Sequence, residues 1–301
     1  MIYLLLSIGL SVLLLLNFRL FPRYGVNTFQ AIVFNYPVCF LTGLALLPAG
    51  QSFAVEFSQD WTWLALGLGV GFILTFLLSG ASTQRTGITA TSLANNLSLV
   101  IPVTISLFVF KTGGKAFDGF NYLGLVLAVV AVGLSTFKKE ESGAVRSRGL
   151  AALLPVAVFL MYGLTNTLIN YMNIHFIPSP DQTARVTLTM VMGAIAAGLL
   201  MLLIRLLQGK EKLEARNLAG ALTLGVPNYL SFYTLLLALS AFGGNGAFVY
   251  PLYNIGVIVL AAGVAALFFR EKLSLLNRAG LVLAIVAIGL ISWQELAGAL
   301  R

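Results

Sequence analysis

Charged residues are scarce in this sequence: Lys, Arg, Asp and Glu make up 9% of the 301 residues, whereas apolar residues make up 59%. Soluble domains carry about a quarter charged residues, so this composition excludes an ordinary soluble protein. Cysteine and histidine occur once each, as Cys39 inside an apolar run and His175 in a short connection before Pro178. One cysteine forms no intramolecular disulfide, and one histidine has no second histidine or cysteine with which to share a metal ion.

Acidic residues are equally restricted, because all ten Asp and Glu residues lie outside the long apolar runs. The sequence contains no acid pair within a run, no nucleophile elbow and no phosphate-binding glycine loop. We therefore expect no catalytic residues, no metal site and no cofactor. The protein is not expected to be an enzyme.

Long runs without charge dominate the chain, and most are close to the roughly 20 residues that cross a bilayer as a helix. The ten runs are Ile2–Phe18, Phe29–Leu47, Trp61–Ser79, Ile88–Phe110, Phe120–Phe137, Leu150–Tyr171, Val186–Ile204, Leu218–Leu239, Ala247–Phe269 and Ala279–Trp293. We extend the last helix back to Leu275 and expect the Arg278 side chain to reach towards the interface. They are apolar on all sides, whereas the strands of a membrane barrel alternate polar and apolar residues. The sequence predicts an all-α membrane protein with ten transmembrane helices.

An internal repeat divides these runs into two groups of five. Residues 124–134 read GLVLAVVAVGL, and residues 280–290, 156 positions later, read GLVLAIVAIGL. Each copy ends one half of the chain, which we place at residues 1–140 and 141–301. Because five is odd, the second half must enter the membrane in the opposite direction. The sequence therefore predicts two inverted five-helix repeats, an arrangement in which substrate sites lie near the midplane where the repeats meet.

Basic residues are distributed unevenly between the connections. The net charge of +8 would suggest a nucleic-acid partner in a soluble protein, but 14 of the 18 Lys and Arg residues fall in the odd-numbered connections between runs. Basic connections remain on the cytoplasmic side of a membrane. We therefore expect no nucleic-acid binding, and we expect both termini to lie outside the cytoplasm.

A family resemblance rests on three features: the five-plus-five count, the repeated GLVLAxVAxGL segment, and the sequence FREKLS at residues 269–274. The last is similar to an F-x-E-x-L-S signature that closes the penultimate helix of a repeat. The chain thus resembles the drug/metabolite transporter superfamily, specifically its ten-helix members with two EamA-like repeats. The first repeat departs from the signature, since residues 111–117 contain no Glu matching Glu271. The resemblance implies a basket-like bundle with a central cavity that moves a small metabolite across a bacterial inner membrane.

Polar side chains within the runs are candidates for substrate contacts, because each costs free energy in lipid unless it faces protein or a wet cavity. They occur near prolines in the second, fourth, eighth and ninth runs, and on one helical face of the sixth. Proline frees a backbone carbonyl and locally opens the turn. The candidates are Tyr36, Asn96, Asn166, Tyr229, Tyr250, Tyr253 and Asn254. Asn and Tyr also serve as plain interhelical hydrogen bonds.

Two charged residues near run ends have alternative roles. Arg185 could bind a substrate carboxylate or phosphate at the mouth of the cavity, or form an i,i+4 pair with Asp181. Glu271 could contribute to transport, or cap and order its loop. For each of these two residues, the sequence is compatible with both roles.

The function that unites these features is transport by alternating access. We expect an exporter of small polar or zwitterionic, amino-acid-like metabolites, which acts as a monomer or homodimer and has a small-molecule substrate and membrane lipids as its partners. A carrier of lipophilic drugs or lipids is the nearest alternative, favoured if the cavity opens sideways between helices. An intramembrane enzyme lacks a catalytic constellation, and an assembly factor would have little loop surface.

The expected orientation can be tested by cysteine labelling. With Cys39 replaced by Ala, single cysteines at Gly114 and Gly143 would be treated on intact cells with a membrane-impermeant thiol reagent. We expect labelling at Gly114 and none at Gly143, because the connection that holds Gly143 is rich in Lys and Arg. The reverse pattern would place the termini inside the cell.

Overall fold

The computed structural model describes residues 1–47, 50, 52–105, 108–109, 117–136, 151, 153–176, 183–243 and 246–299. Within these ranges the chain is helical and contains no strand. The helices are α1 Ile2–Leu20, α2 Thr28–Ala45, α3 Asp60–Arg85, α4 Ile88–Leu97, α5 Val100–Ile105, α6 Gly119–Thr136, α7 Leu154–Phe176, α8 Thr183–Leu207, α9 Ala215–Ala241, α10 Gly246–Phe269, α11 Leu275–Ile291 and the short α12 Trp293–Ala299.

Eight helical segments in the described part of the chain are long and apolar enough to cross a membrane, with α4 and α5 counted as one. The helices α6 and α11 are apolar but shorter. Helices suit this environment because lipid offers no hydrogen bonds to the backbone, so every N–H and C=O must bond within its own segment. The predicted all-α class is confirmed, and the eight helices agree with a multi-pass membrane protein.

Several helices extend beyond the predicted runs. α3 continues to Arg85 rather than ending at Ser79, and α7 continues to Phe176, so His175 lies in a last helical turn instead of a connection. The difference has a simple cause. The predicted runs include only the charge-free residues that would cross the lipid, whereas a helix continues into the polar residues beyond them while their side chains reach the membrane surface.

The predicted fourth span is interrupted in the middle. α4 ends at Leu97 and α5 begins at Val100, because Pro102 has no N–H to donate to the carbonyl of Ser98. That carbonyl instead accepts from the N–H of Ile101 at 3.0 Å. The Ser98 hydroxyl turns back and donates to the carbonyl of Asn95 at 2.6 Å. Both bonds tighten the chain locally and satisfy backbone groups that an unbroken helix would have paired.

The helices pack in a pattern that links the two parts of the chain. The main contacts join α2 to α9, α3 to α8, α1 to α9, α3 to α7, α1 to α10, α4 to α7, α2 to α8, α4 to α10 and α6 to α11. All nine of these contacts pair a helix before residue 140 with one after it. The core is therefore built between the two parts rather than within either one.

Glycines allow the closest of these crossings. A β-carbon at Gly69 of α3 would lie 2.2 Å from the Met190 carbonyl oxygen, and one at Gly193 of α8 would lie 2.1 Å from that of Leu66. A β-carbon at Gly225 of α9 would lie 2.7 Å from the Asn35 carbonyl oxygen of α2. The backbones are in van der Waals contact at both crossings, which only glycine permits.

One end of the bundle, which we call the basic end, gathers the connections after α1, α3, α8 and α10. Arg19 Nη1 donates to the Gln84 carbonyl at 3.0 Å, and Gln84 Nε2 donates to the Thr28 hydroxyl at 2.6 Å. Asn27 Nδ2 donates to Glu211 Oε2 at 2.8 Å. The connections that carry most of the Lys and Arg residues are thus tied to one another.

The opposite end is closed by a second set of contacts. Arg185 Nη1 bonds Glu56 Oε1 at 2.6 Å. The Trp293 indole N–H donates to Asp118 at 3.0 and 3.1 Å, which joins the start of α6 to the end of α11. Desolvation raises the pKa of the Asp118 carboxyl, but the hydrogen bonds from Trp293, Asn121, Gln294 and Phe120 outweigh it, and the pKa lies below its ordinary value.

The glycine crossing generates a paired mutational test. Gly69→Ala should destabilise the folded protein by about 1–3 kcal/mol, because overpacking forces the backbones of α3 and α8 apart. Gly67→Ala is the matched control two residues away, where a β-carbon would meet nothing within 4 Å. That control should be neutral or gain about 0.5–1 kcal/mol, since alanine favours helix over glycine. Thermal unfolding in detergent measures both; equal effects would contradict the proposed contact.

Candidate functional site

A row of hydroxyl groups crosses the interior of the bundle. The Ser11 and Tyr253 hydroxyls bond at 2.7 Å and join α1 to α10. The Tyr253 hydroxyl lies close to that of Tyr162 on α7, which in turn lies near Ser79 on α3 and Tyr36 on α2. We call these five residues the hydroxyl cluster. They bring side chains from five helices to one region.

A second set of polar groups continues the row between α2 and α9. Asn228 Nδ2 donates to Asn35 Oδ1 at 3.2 Å and to Cys39 Sγ at 3.3 Å. The Cys39 thiol donates to Asn35 Oδ1 at 3.4 Å and to the Gly225 carbonyl at 3.3 Å. We call Asn35, Cys39 and Asn228 the amide cluster. Tyr36 lies one turn from Cys39 on α2 and close to Tyr162 on α7, so it connects the amide cluster to the hydroxyl cluster.

Together the two clusters form a polar belt at mid-depth. Ser11, Tyr36 and Asn228 each lie at or beside the middle of their helices. The belt contains hydroxyl, amide and thiol groups, and no residue in it carries a formal charge. Phe76 packs on the Tyr36 ring at a centroid distance of 5.9 Å and supplies an apolar wall.

Three polar atoms of the belt have no hydrogen-bond partner among the described residues: Tyr36 OH, Ser79 Oγ and Asn35 Nδ2. Their side chains are almost wholly buried, with 2%, 1% and 0% of their residue surfaces exposed. A buried group without a partner costs about 1–3 kcal/mol. Native structures keep few such groups, and each requires an explanation such as a ligand or an internal water.

Two of the predicted site residues, Tyr36 and Tyr253, belong to the belt. Tyr229 lies beside it on α9, where its ring covers Gly43 and fills the contact between α2 and α9. Asn96 is 5% exposed, and its amide donates to the Ser92 carbonyl of its own helix at 2.8 Å. This bond gives Asn96 a local structural role.

The remaining predicted residues are partly exposed, and one of them has a partner outside the belt. Asn166 and Asn254 are half-buried on α7 and α10, and Tyr250 leaves 47% of its surface exposed. Arg185 is paired with Glu56, at 40% exposure for each side chain. Its alternative partner in the sequence, Asp181, lies outside the described residues.

Sequence reasoning did not select Ser11, Ser79, Asn35, Cys39 or Asn228 as site residues. Serine is common in membrane helices, where it bonds within its own helix or across to a neighbour, so a single serine carries no signal. The lone cysteine, which can form no intramolecular disulfide, is free and buried. Tyr162 lies on the same helical face of the sixth run as the candidate Asn166, and it belongs to the belt.

At the basic end, Glu271 caps a helix of the other part of the chain. Its carboxylate accepts from the Ile88 N–H at 2.8 Å and from the Thr89 hydroxyl at 3.1 Å, at the first turn of α4. A carboxylate there satisfies orphan N–H groups and matches the positive end of the helix dipole. Gly87 has φ +109°, and a β-carbon on it would lie 2.7 Å from Glu271 Oε1. Only glycine fits this position.

The local sequence explains how Glu271 reaches α4. After α10 ends at Phe269, Arg270 adopts a left-handed conformation with φ 50°, and the Glu271 N–H turns back to the Ala265 carbonyl at 3.0 Å. Ser274 then caps α11 by accepting from the Asn277 N–H at 3.2 Å. The FREKLS segment therefore ends one helix, caps a second and begins a third. Capping, one of the two roles considered for Glu271, is the role that its contacts support.

Comparison with known proteins gives a relative and a shared fold. No family model matches the chain. An uncharacterized protein of Haemophilus influenzae is 26% identical over 289 residues, which cover 94% of this chain and 93% of that protein. A solved crystal structure is 15% identical and superposes with a TM-score of 0.61 over 97% of this chain and 96% of that chain. The fold thus recurs over nearly the full length.

The Glu271 cap generates a stability prediction. Glu271→Ala should lower the free energy of unfolding by about 0.5–2 kcal/mol, the usual cost of losing a helix cap. Glu271→Gln retains an acceptor oxygen and should lose less. Lys272→Ala, at the exposed neighbouring position, is the control and should have little effect. Thermal unfolding in detergent provides the comparison; if Glu271→Ala and Lys272→Ala behave alike, the cap contributes no stability.

Proposed function

We propose that this chain is a membrane transporter that moves a small polar metabolite by alternating access between two inverted five-helix repeats. The first repeat comprises α1 to α6, with α4 and α5 as one broken span, and the second comprises α7 to α11. The proposed direction is export, and the proposed location is a bacterial inner membrane. The drug/metabolite transporter superfamily, which the sequence resembles, supplies the expected mechanism.

The packing pattern supports the repeat. If each helix is exchanged for its counterpart, α1 for α7, α2 for α8, α3 for α9, the α4–α5 pair for α10 and α6 for α11, the main contacts map onto one another. The contact of α2 with α9 becomes that of α8 with α3, and the contact of α1 with α9 becomes that of α7 with α3. Such exchange is the behaviour of two structural units related by a two-fold axis.

The glycines support the same repeat independently. Gly69 and Gly225, which allow the two closest crossings, are 156 residues apart, the spacing that also separates Gly124 from Gly280. Gly124 likewise approaches the Ala287 carbonyl across α6 and α11, with 2.8 Å to its would-be β-carbon. The same spacing of 156 residues thus separates the two copies of the sequence repeat and the two glycines of the close helix crossings.

The observation that carries the transport proposal is the pair of unpartnered hydroxyls in the belt. Tyr36 OH is buried near the middle of α2 and Ser79 Oγ is buried on the neighbouring α3, and neither has a partner among the described residues. Two inverted repeats would form their substrate site in such a central region. A ligand that bonds these groups would remove the cost of leaving them unsatisfied. The belt has no formal charge, which favours a substrate that is neutral overall and rich in hydrogen-bonding groups. The proposed partners of the protein are therefore this small molecule and the surrounding lipid.

The proposal predicts that removing an unpartnered hydroxyl preserves stability but weakens transport. Tyr36→Phe removes only the unpartnered hydroxyl, so the substrate-free protein should keep its stability or gain about 1 kcal/mol. Transport should nevertheless weaken, by about three- to tenfold in apparent affinity for one lost neutral hydrogen bond. Ser79→Ala should behave in the same way. The substrate would first be identified by comparing the metabolites exported by cells with and without the protein, and then measured in vesicles.

The control is Tyr122→Phe, a tyrosine on α6 with 43% of its surface exposed and outside the belt. It should change neither stability nor transport. If Tyr36→Phe and Ser79→Ala transport in proportion to their folded amounts, the belt is a packing element. If no metabolite differs between the two cell lines, transport itself is the wrong proposal.

A further inference from the structure

A pocket of about 430 Å³ opens at the basic end of the bundle, away from the polar belt. It lies between the turn after α1, at residues 21–27, and the linker between α8 and α9, at residues 208–214. Its walls include Asn27, Lys210, Lys212 and Arg216. The volume falls within the range of about 300–1,000 Å³ that small-molecule sites occupy.

The floor of the pocket is held in place by Glu211. Its carboxylate accepts from Asn27 Nδ2 and Gln30 Nε2, each at 2.8 Å, and from Arg205 Nη1 at 3.3 Å. Gln30 Nε2 also donates to the Lys212 carbonyl at 2.8 Å. These bonds fold the linker over the start of α2, so the shape of the pocket does not depend on the lysine side chains.

The charges around the pocket do not cancel. The side chain of Glu211 is only 8% exposed and is occupied by its three donors, while Glu214 is paired with the Arg216 Nε. Lys210 and Lys212 are exposed, and neither forms an ion pair within the part of the chain that the structure describes. Both acidic groups are therefore already engaged, and two ammonium groups remain available.

Arg216 adds oriented donors to these two cations. Its guanidinium lies against the backbone of Gly25, where a β-carbon would come within 2.8 Å of Nη1. Because Nε is the atom engaged with Glu214, the terminal nitrogens can donate to another group. Guanidinium and ammonium groups together favour an oxyanion, and phosphate above all because of its several acceptor oxygens.

The position of the pocket favours a lipid headgroup, and not a soluble ion, as the molecule that carries this phosphate. It opens between the ends of α1 and α8 and the starts of α2 and α9, where we expect the lipid headgroups to lie. Leu207 and Leu213, with 80% and 60% of their surfaces exposed, flank it and would contact acyl chains. Basic pockets between membrane helices bind the headgroups of acidic lipids. We propose that this pocket binds the headgroup of an anionic phospholipid, with Lys210, Lys212 and Arg216 contacting the phosphodiester.

The experiment compares two double variants in neutral detergent. Lys210→Gln/Lys212→Gln removes the free ammonium groups of the pocket, and Lys272→Gln/Arg278→Gln removes the same charge from exposed positions at the same end. Binding of dioctanoyl phosphatidylglycerol would be measured by native mass spectrometry and by the shift in thermal unfolding. The pocket variant should bind the lipid roughly ten- to thirtyfold more weakly than wild type, as expected from the contribution of each lysine near a charged membrane surface. The control variant should bind like wild type.

Two further ligands distinguish the source of the anion. Dioctanoyl phosphatidylcholine should bind weakly to all three proteins, because its headgroup has no net charge. Inorganic phosphate should produce little stabilisation of the wild type. Equal losses in both double variants would overturn the pocket as a specific site, and stabilisation by phosphate equal to that by phosphatidylglycerol would assign it to a soluble anion instead. Because all four residues are exposed, the folded yield should be unchanged, and it is measured alongside.

Discussion

Close backbone contact between helices is the constraint on which the structure depends. In lipid, apolar side chains gain little by leaving acyl chains for a neighbouring helix, so association relies on close packing and on interhelical hydrogen bonds. Gly69 and Gly225 provide that approach at the crossings of α3 with α8 and of α9 with α2. The second crossing also sets the polar belt. Because Gly225 approaches the Asn35 carbonyl, the Asn35 and Asn228 side chains are brought within hydrogen-bonding distance.

Charged groups and neutral polar groups lie at different depths of the bundle, and they differ in whether they have partners. Charged groups lie at the ends of the bundle, where several are matched: Glu271 by the first turn of α4, and Arg185 by Glu56. The groups of the polar belt are neutral, and the Tyr36 and Ser79 hydroxyls have no partner in the part of the chain that the structure describes. Satisfied contacts at the ends hold the helices in register, whereas unsatisfied neutral groups in the middle leave hydrogen-bonding capacity for something other than protein. This division is the reason that we propose a binding role for the belt.

The helices were predictable because hydropathy acts locally and on every residue of a span. Their ends were less so: α3 runs to Arg85, since a long basic side chain can lie in the helix and still reach the surface. The break between α4 and α5 has a visible signal in Pro102, but proline kinks other membrane helices without dividing them, as Pro37 does not divide α2. The partner of Arg185 was beyond sequence reasoning, because Glu56 is 129 residues away. Five of the eight belt residues were not selected for the same reason, because the sequence does not show which residues a given serine, cysteine or asparagine faces.

The sequence by itself determined that this chain is helical, that its charges lie between apolar segments, and that one segment recurs after 156 residues, because composition and periodicity follow from the residues alone. Only the tertiary structure decided which polar groups meet. Tyr36, Ser79 and Tyr162 come from three helices, and their proximity follows from the angles and depths at which those helices cross. The role of Glu271 was decided in the same way, since a carboxylate can cap a distant helix only after folding has placed that helix beside it.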